Sequence, residues 1–195
     1  VLDDINNKDT SIEVWDLPKI MELELGGVDS APIEIDFEEL FDEGLKALSA
    51  DFPGVPNKSY LCVLPGEYLS QLYHEFGQRL LQSNVRSFLN FGLGANKGMR
   101  MALLTEPEKF FAYNNGITVT ATSHETKTIG KQLYITELEN MQIVNGGQTT
   151  GAIYFAPKDP GGVKASEGRI LKWSDIDLRK VFVQMKLTII EDKKE

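Results

Sequence analysis

The sequence predicts an α+β fold, a mixed β-sheet with helices packed on it. Three observations carry this reading. Runs of β-branched and apolar residues recur at strand length, most clearly Ile117 to Thr122 and Val181 to Ile190. Leu69, Leu72, Tyr73, Phe76, Leu80 and Leu81 recur at helical spacing, which marks one buried helix face. Between these types of segment stands a junction, Met141-Gln142-Ile143-Val144 then Asn145-Gly146-Gly147 then Gln148 to Phe155. It reads as strand, turn and helix, because Asn and Gly accept positive φ where the chain must reverse. The sheet is expected from the regions of Tyr60, Ile117, Leu133, Gln142 and Val181, with helices at 67–82, 97–104 and 148–155.

Taken in order, Ser11 to Asp16 alternates and reads as a strand. A short helix follows at 17–23, with Asp16 as its cap and Pro18 in its first turn. Ala31 to Phe37 alternates again. Glu38 to Ala50 fits a helix with Leu40, Phe41, Leu45 and Leu48 on one side. Pro53, Gly54 and Pro56 break the chain, and Tyr60 to Leu64 is a strand. The helix at 67–82 and the one opening at Lys97 come next. Thr105 with Glu108 matches a capping box ahead of Phe110. Tyr113 to Gly116 is a turn before the Ile117 strand. Residues 123–130 read as a polar hairpin loop, Lys131 to Leu138 as the returning strand, and 156–177 as a long loop rich in Pro, Gly and charge.

The formal net charge is −9, but it is unevenly spread. Residues 1–60 hold 15 Asp and Glu against 4 Lys, a net −11, and the rest hold 14 acids against 16 bases, a net +2. The acidity is a solvated face of the first third, so a basic patch remains available later in the chain. No apolar run approaches the ~20 residues that span a bilayer, and no basic-then-apolar leader opens the chain. Cys62 is the only cysteine and sits in an apolar run. It excludes an intrachain disulfide and fits a reducing, cytoplasmic setting without membrane contact.

The common catalytic signatures are missing. There is no phosphate-loop lysine motif, no Gly-x-Ser-x-Gly, no Cys/His pair at zinc spacing and no nuclease Asp…Glu-x-Lys triplet. His74 reads as a surface histidine, His124 as exposed in the hairpin loop, and Glu137 and Glu139 as surface. The residues therefore assign no catalytic group, no metal and no cofactor. What they do offer is a candidate phosphate cradle. The first N–H groups of a helix lack intrahelical partners and lie at the positive end of its dipole. Here Asn145, Gly146, Gly147, Gln148, Thr149 and Thr150 form that helix start. The competing reading is a plain turn that needs Gly for its geometry and Thr for capping. Asn84 and Arg86 share one face of an extended segment, Lys97 and Arg100 follow, and residues 79–109 carry a local +3. Arginine is well shaped to hold phosphate with two hydrogen bonds. Asn114 and Asn115 are turn residues whose carboxamides could also read a base edge or a phosphate.

Four stretches taken together resemble a known family. These are Asn84-Val85-Arg86-Ser87-Phe88-Leu89, Asn96-Lys97-Gly98-Met99, Glu106 to Thr118 including Tyr113-Asn114-Asn115-Gly116, and Gln142 to Thr150. In order and spacing they resemble the abortive-infection phage-resistance (AIPR) family, from about residue 60 to 190. The resemblance implies a bacterial cytoplasmic protein of anti-phage or restriction-like defence, with other defence proteins as possible partners. It implies that residues 1–36 connect to a preceding nuclease-like domain and that 58–195 are the AIPR-like α+β domain, truncated at its C-terminus; the residues between, 37–57, read from their charge and their Pro and Gly breaks as an acidic linker or subdomain. The junction is also similar to those of DndB-type proteins and of ParB and sulfiredoxin, which implies a ParB/sulfiredoxin-like strand-turn-helix core. Those junctions carry His-Arg or Arg where this chain has Thr149-Thr150. A replacement cation then has to come from Arg86, Lys97 or Arg100.

The expected function is binding of nucleic acid or of a nucleotide phosphate within phage defence. A nuclease whose catalytic carboxylates lie partly outside this stretch is the first alternative. A protein-protein scaffold using the acidic first third is the second. Two geometric expectations follow: at least two backbone N–H groups of the 145–148 turn face a cleft, and Asn84 and Arg86 lie on the same side of the sheet as that turn.

Overall fold

The computed structural model describes residues 32–51, 53–81, 97–165 and 168–190. From Ile33 onward the chain forms one compact unit. Its fold is α+β, built on a mixed eight-stranded sheet. The strands are β1 (Glu34–Asp36), β2 (Leu45–Ser49), β3 (Ser59–Pro65), β4 (Ile117–Ala121), β5 (Ser123–Ile129), β6 (Gln132–Glu139), β7 (Gln142–Asn145) and β10 (Phe182–Ile189). The order is β1-β6-β2-β3-β10-β4-β7, with β5 on the other side of β6. Every pair is antiparallel except β10 with β4. A separate hairpin joins β8 (Gly162–Lys164) to β9 (Ile170–Lys172).

The helices are α1 (Phe37–Phe41), α2 (Gly66–Phe76), α3 (Lys97–Thr105), α4 (Phe110–Tyr113) and α5 (Gly147–Phe155). Period-two alternation decides which sheet face they cover. In β10, Val183, Met185, Leu187 and Ile189 are buried while Phe182, Gln184 and Lys186 are exposed. In β3, Tyr60, Cys62 and Leu64 are buried while Leu61 and Val63 are exposed. The buried set joins Leu69, Leu72 and Tyr73 of α2 and Ile153 of α5 in one core. On the opposite face of the central strands, Lys46 and Leu48 of β2, Leu61 and Val63 of β3, and Phe182, Gln184 and Lys186 of β10 are exposed.

Five expectations are corrected. Residues 38–50 are not one helix: α1 ends at Phe41, Asp42 takes φ 61°, and β2 begins at Leu45. Leu45 and Ala47 point inward and Lys46 and Leu48 outward, an alternation that a helical face of Leu40, Phe41, Leu45 and Leu48 had obscured. Residues 123–130 are not a loop but mostly strand β5, paired along the length of β6. This strand lies at the edge of the sheet and most of its side chains are exposed, so it carries no apolar alternation. His124 lies in that strand, partly buried, with Nε2 2.7 Å from the Tyr60 hydroxyl. Residues 156–177 contain the β8–β9 hairpin and two 3₁₀ turns, and Trp173 and Ile176 are buried there. The Thr105–Glu108 capping box does not form: Thr105 ends α3 and its hydroxyl donates back to the Met101 carbonyl at 2.8 Å.

Candidate functional site

The junction between β7 and α5 is held by two local devices. Gly146 takes φ 97°, ψ 18°, the left-handed region that glycine enters freely. A Cβ there would stand 2.6 Å from Ile117 Cγ2 and 2.9 Å from the Gly116 carbonyl oxygen, so the turn lies directly on β4. Thr150 closes the first helical turn, its N–H donating to the Gly146 carbonyl at 3.0 Å and its hydroxyl to the same oxygen at 3.1 Å. The Asn145 carboxamide oxygen accepts from the Gly146 N–H at 2.7 Å. Among the described residues, no group accepts from the N–H of Gly147, Gln148 or Thr149. These are the donors a helix start leaves over.

The turn before β4 forms the second wall. Asn114 acts as its clasp: its carboxamide oxygen accepts from the Gly116 N–H at 2.7 Å and from the Thr149 hydroxyl at 3.1 Å. Its amide nitrogen reaches the Met99 sulfur at 3.5 Å. One side chain thus ties the α4–β4 turn to the first turn of α5 and to α3. Gly116 has φ 75°, and a Cβ there would collide with the Gln184 carbonyl oxygen, so this turn also sits against β10. The Gln184 carboxamide donates to the Phe111 carbonyl at 3.1 Å, which holds α4 over the strand.

Between the walls lies a cleft of about 920 Å³. Its rim is the segment Asn145 to Thr149 and the segment Ala112 to Gly116, and its floor is Thr118, Gln184 and Lys186. Five carboxamides line it, from Asn114, Asn115, Asn145, Gln148 and Gln184. Lys186 is the charged side chain among the described residues of the lining, and no carboxylate is among them. Lys186 has no ion-pair partner among the described residues. Three amide donors at the positive end of a helix dipole, one lysine and no carboxylate make an anion-attracting site.

Of the residues singled out from the sequence, Asn114, Asn115, Asn145, Gly146, Gly147, Gln148 and Thr149 meet in this cleft. Thr150 is fully buried behind it, its hydroxyl committed to Gly146. Lys97 is exposed in the first turn of α3 and is not part of the lining. Arg100 is turned elsewhere. Its guanidinium pairs with Asp159 and lies 4.3 Å from the Trp173 ring centroid. It fixes the segment after α5 to α3. Asn84 and Arg86 lie outside the described residues. The sequence reading missed Lys186, Gln184 and Thr118. The signal is present in the polar alternates Gln184, Lys186 and Thr188, but a β-branched run of this length marks a strand without showing that one of its faces stays open.

Among the described residues, no three or more His, Cys, Asp or Glu side chains stand together so as to hold a metal ion. Among them, too, no helix is long and apolar enough to cross a membrane. A family model described as "AIPR protein" matches residues 81–195, more than half of the chain and all of the described cleft lining. Comparison with curated proteins and with solved structures returns no match. The likeness to ParB, sulfiredoxin and DndB-type junctions therefore stands on the junction residues alone.

Proposed function

The chain belongs to the AIPR family, the abortive-infection phage-resistance proteins, and from that premise we propose that its cleft holds phosphate groups of a nucleotide or a nucleic acid. Membership puts the chain in phage defence, where such ligands are the material to be sensed or attacked. The compartment that goes with them is the bacterial cytoplasm. The observation that carries the reading is the union of the unpaired Gly147, Gln148 and Thr149 amides with Lys186 in a lining free of described carboxylates. The amides supply directed donors, and the lysine supplies the full charge that Thr149 and Thr150 do not. Lys186 fills the role assigned from the sequence to Arg86, Lys97 or Arg100. The surrounding carboxamides can donate to phosphate or pair with a base edge.

The test is a binding series with inorganic phosphate, a nucleoside triphosphate and a short oligonucleotide, each across a range of salt. Lys186→Gln should weaken every phosphate-bearing ligand by ~1.5–3 kcal/mol, the range for a hydrogen bond to a charged group. For a single strand, the salt slope should fall by about 0.7. Absence of binding by all three ligands to the folded chain would overturn the proposal.

A further inference from the structure

We infer that the open face of the sheet extends the cleft into a track for single-stranded nucleic acid, an inference that rests on the phosphate-binding reading above. The cleft floor does not end at Lys186. In register, Lys186 stands opposite Thr118 on β4 and Leu61 on β3, and Leu61 stands opposite Leu48 on β2. One row thus runs from the phosphate cleft across four strands, polar at one end and apolar at the other. The next row starts at Gln184 on the cleft floor and passes to Val63. Beside it, Lys46 of β2 faces Tyr134 of β6. Since neighbouring strands are about 4.8 Å apart, the track from β4 to β6 is about 19 Å wide.

The apolar end is a second depression whose lining includes Leu48, Leu61, Val63 and Phe182. These side chains are 41 to 66% exposed, which makes a contiguous patch rather than scattered surface residues. Lys46 lines the same depression and, like Lys186, has no ion-pair partner among the described residues. Glu43 is its acidic member, at the rim, where the Tyr68 hydroxyl donates to it at 3.4 Å. Cations alternating with apolar and aromatic surface suit a chain of phosphates whose bases are uncovered. Bases lie on the apolar side chains while the backbone follows the lysines.

A mononucleotide is too short to use both ends of the track. A duplex keeps its bases stacked inside and offers phosphates and groove edges, leaving Leu48, Leu61, Val63 and Phe182 against charge and water. A protein partner would cover the apolar end but has no need of the lysine-and-amide end with which the face is continuous. The continuity of the two ends and the charge at each favour the single strand.

The experiment uses the full chain with a deoxythymidine decamer, a uridine decamer, a mixed-sequence duplex and thymidine triphosphate, followed by fluorescence anisotropy and competition. At least one decamer should bind tenfold or more tighter than both the duplex and the triphosphate at equal salt. Leu48→Glu should weaken that decamer about tenfold or more, Leu48→Lys should not, and both should leave triphosphate binding unchanged, since Leu48 stands two strands away from Lys186. Phe182→Ala should weaken the decamer about tenfold through lost stacking. If Leu48→Glu and Phe182→Ala bind the decamer like the parent chain while Lys186→Gln still weakens it, the track is overturned and the cleft stands. If Leu48→Glu changes only the sedimentation of the chain, the face is a protein contact and the track is again overturned. If no phosphate-bearing probe binds, the cleft reading itself has failed, and the track with it.

Discussion

Replacing Gly146 by alanine tests whether the turn that aims the three amides is held by its packing. The backbone there has φ 97°, where an L side chain costs about 1–2 kcal/mol. The new methyl would stand 2.6 Å from Ile117 Cγ2 and 2.9 Å from both Ile117 Cα and the Gly116 oxygen. Ile117 is 2% exposed and lies in β4, paired with Met185 of β10, so it has no free direction in which to yield. Overpacking of this kind adds about 1–3 kcal/mol. The total is about 2–5 kcal/mol, a shift of roughly 5–15 °C in melting temperature for a domain of this size. The comparison is Gly54→Ala, where φ is 84° but no atom lies within 4 Å, so only the conformational cost applies. Thermal melts by circular dichroism give both numbers, and phosphate binding measured well below each melt gives the effect on the cleft. Gly146→Ala should be the more destabilising by at least ~1 kcal/mol and should lose affinity, because relieving the clash rotates the Gly147 to Thr149 amides away. Equal melts for the two variants would refute the claim that the turn is fixed by β4.

Asn114→Ala should cost about 1–3 kcal/mol of stability, since it strands the Gly116 N–H and the Thr149 hydroxyl. Asn114→Asp keeps that acceptor and should preserve most of the stability while repelling anions, a split that melts and binding read separately. The Arg100 guanidinium and the Gly161 N–H hold the Asp159 carboxyl below its usual pKa. The sign follows from proton linkage: this contribution is full above the unfolded carboxyl pKa, about 3.9, and is lost as pH falls through the lower folded value. Denaturant titrations of the parent chain and Asp159→Asn should therefore differ at neutral pH and converge in strong acid; a difference constant with pH would contradict this. Burial pushes the Cys62 thiol up to about 12, so iodoacetamide should modify it at neutral pH only after unfolding. Rapid alkylation of the native chain, followed by mass spectrometry, would contradict that.

The sequence made the central strands and the junction legible because each has one buried face and a firm period. Val119 on β4, the Leu61–Cys62–Val63–Leu64 alternation and the Leu69–Leu72–Tyr73 helix face all leave that trace. Gly146 was legible as a positive-φ turn because little else fits there. The edges were not. Strand β5 is mostly exposed, and β2 is five residues long, too short to separate a period of 2 from one of 3.6. The floor of the cleft was missed for a related reason. Lys186 reaches the cleft only because β10 is open on one face, and that openness depends on which strands flank it, β3 and β4. Arg100 failed in the opposite direction. Its charge type suited phosphate, but Asp159 and Trp173, far along the chain, capture it. Long-range partners of a charged side chain leave no local mark in the sequence.

The most direct measurement of the central claim is a titration of the isotopically labelled chain with inorganic phosphate and then a nucleoside triphosphate, followed by amide nuclear magnetic resonance. The account predicts that the N–H signals of Gly147, Gln148 and Thr149 shift together and saturate with one affinity, with smaller shifts at Asn114 and Gly116. Lys186→Gln should weaken that affinity without moving the starting positions of those signals beyond its own neighbours on β3 and β4. Saturable phosphate binding that leaves the Gly147, Gln148 and Thr149 signals unmoved would contradict it.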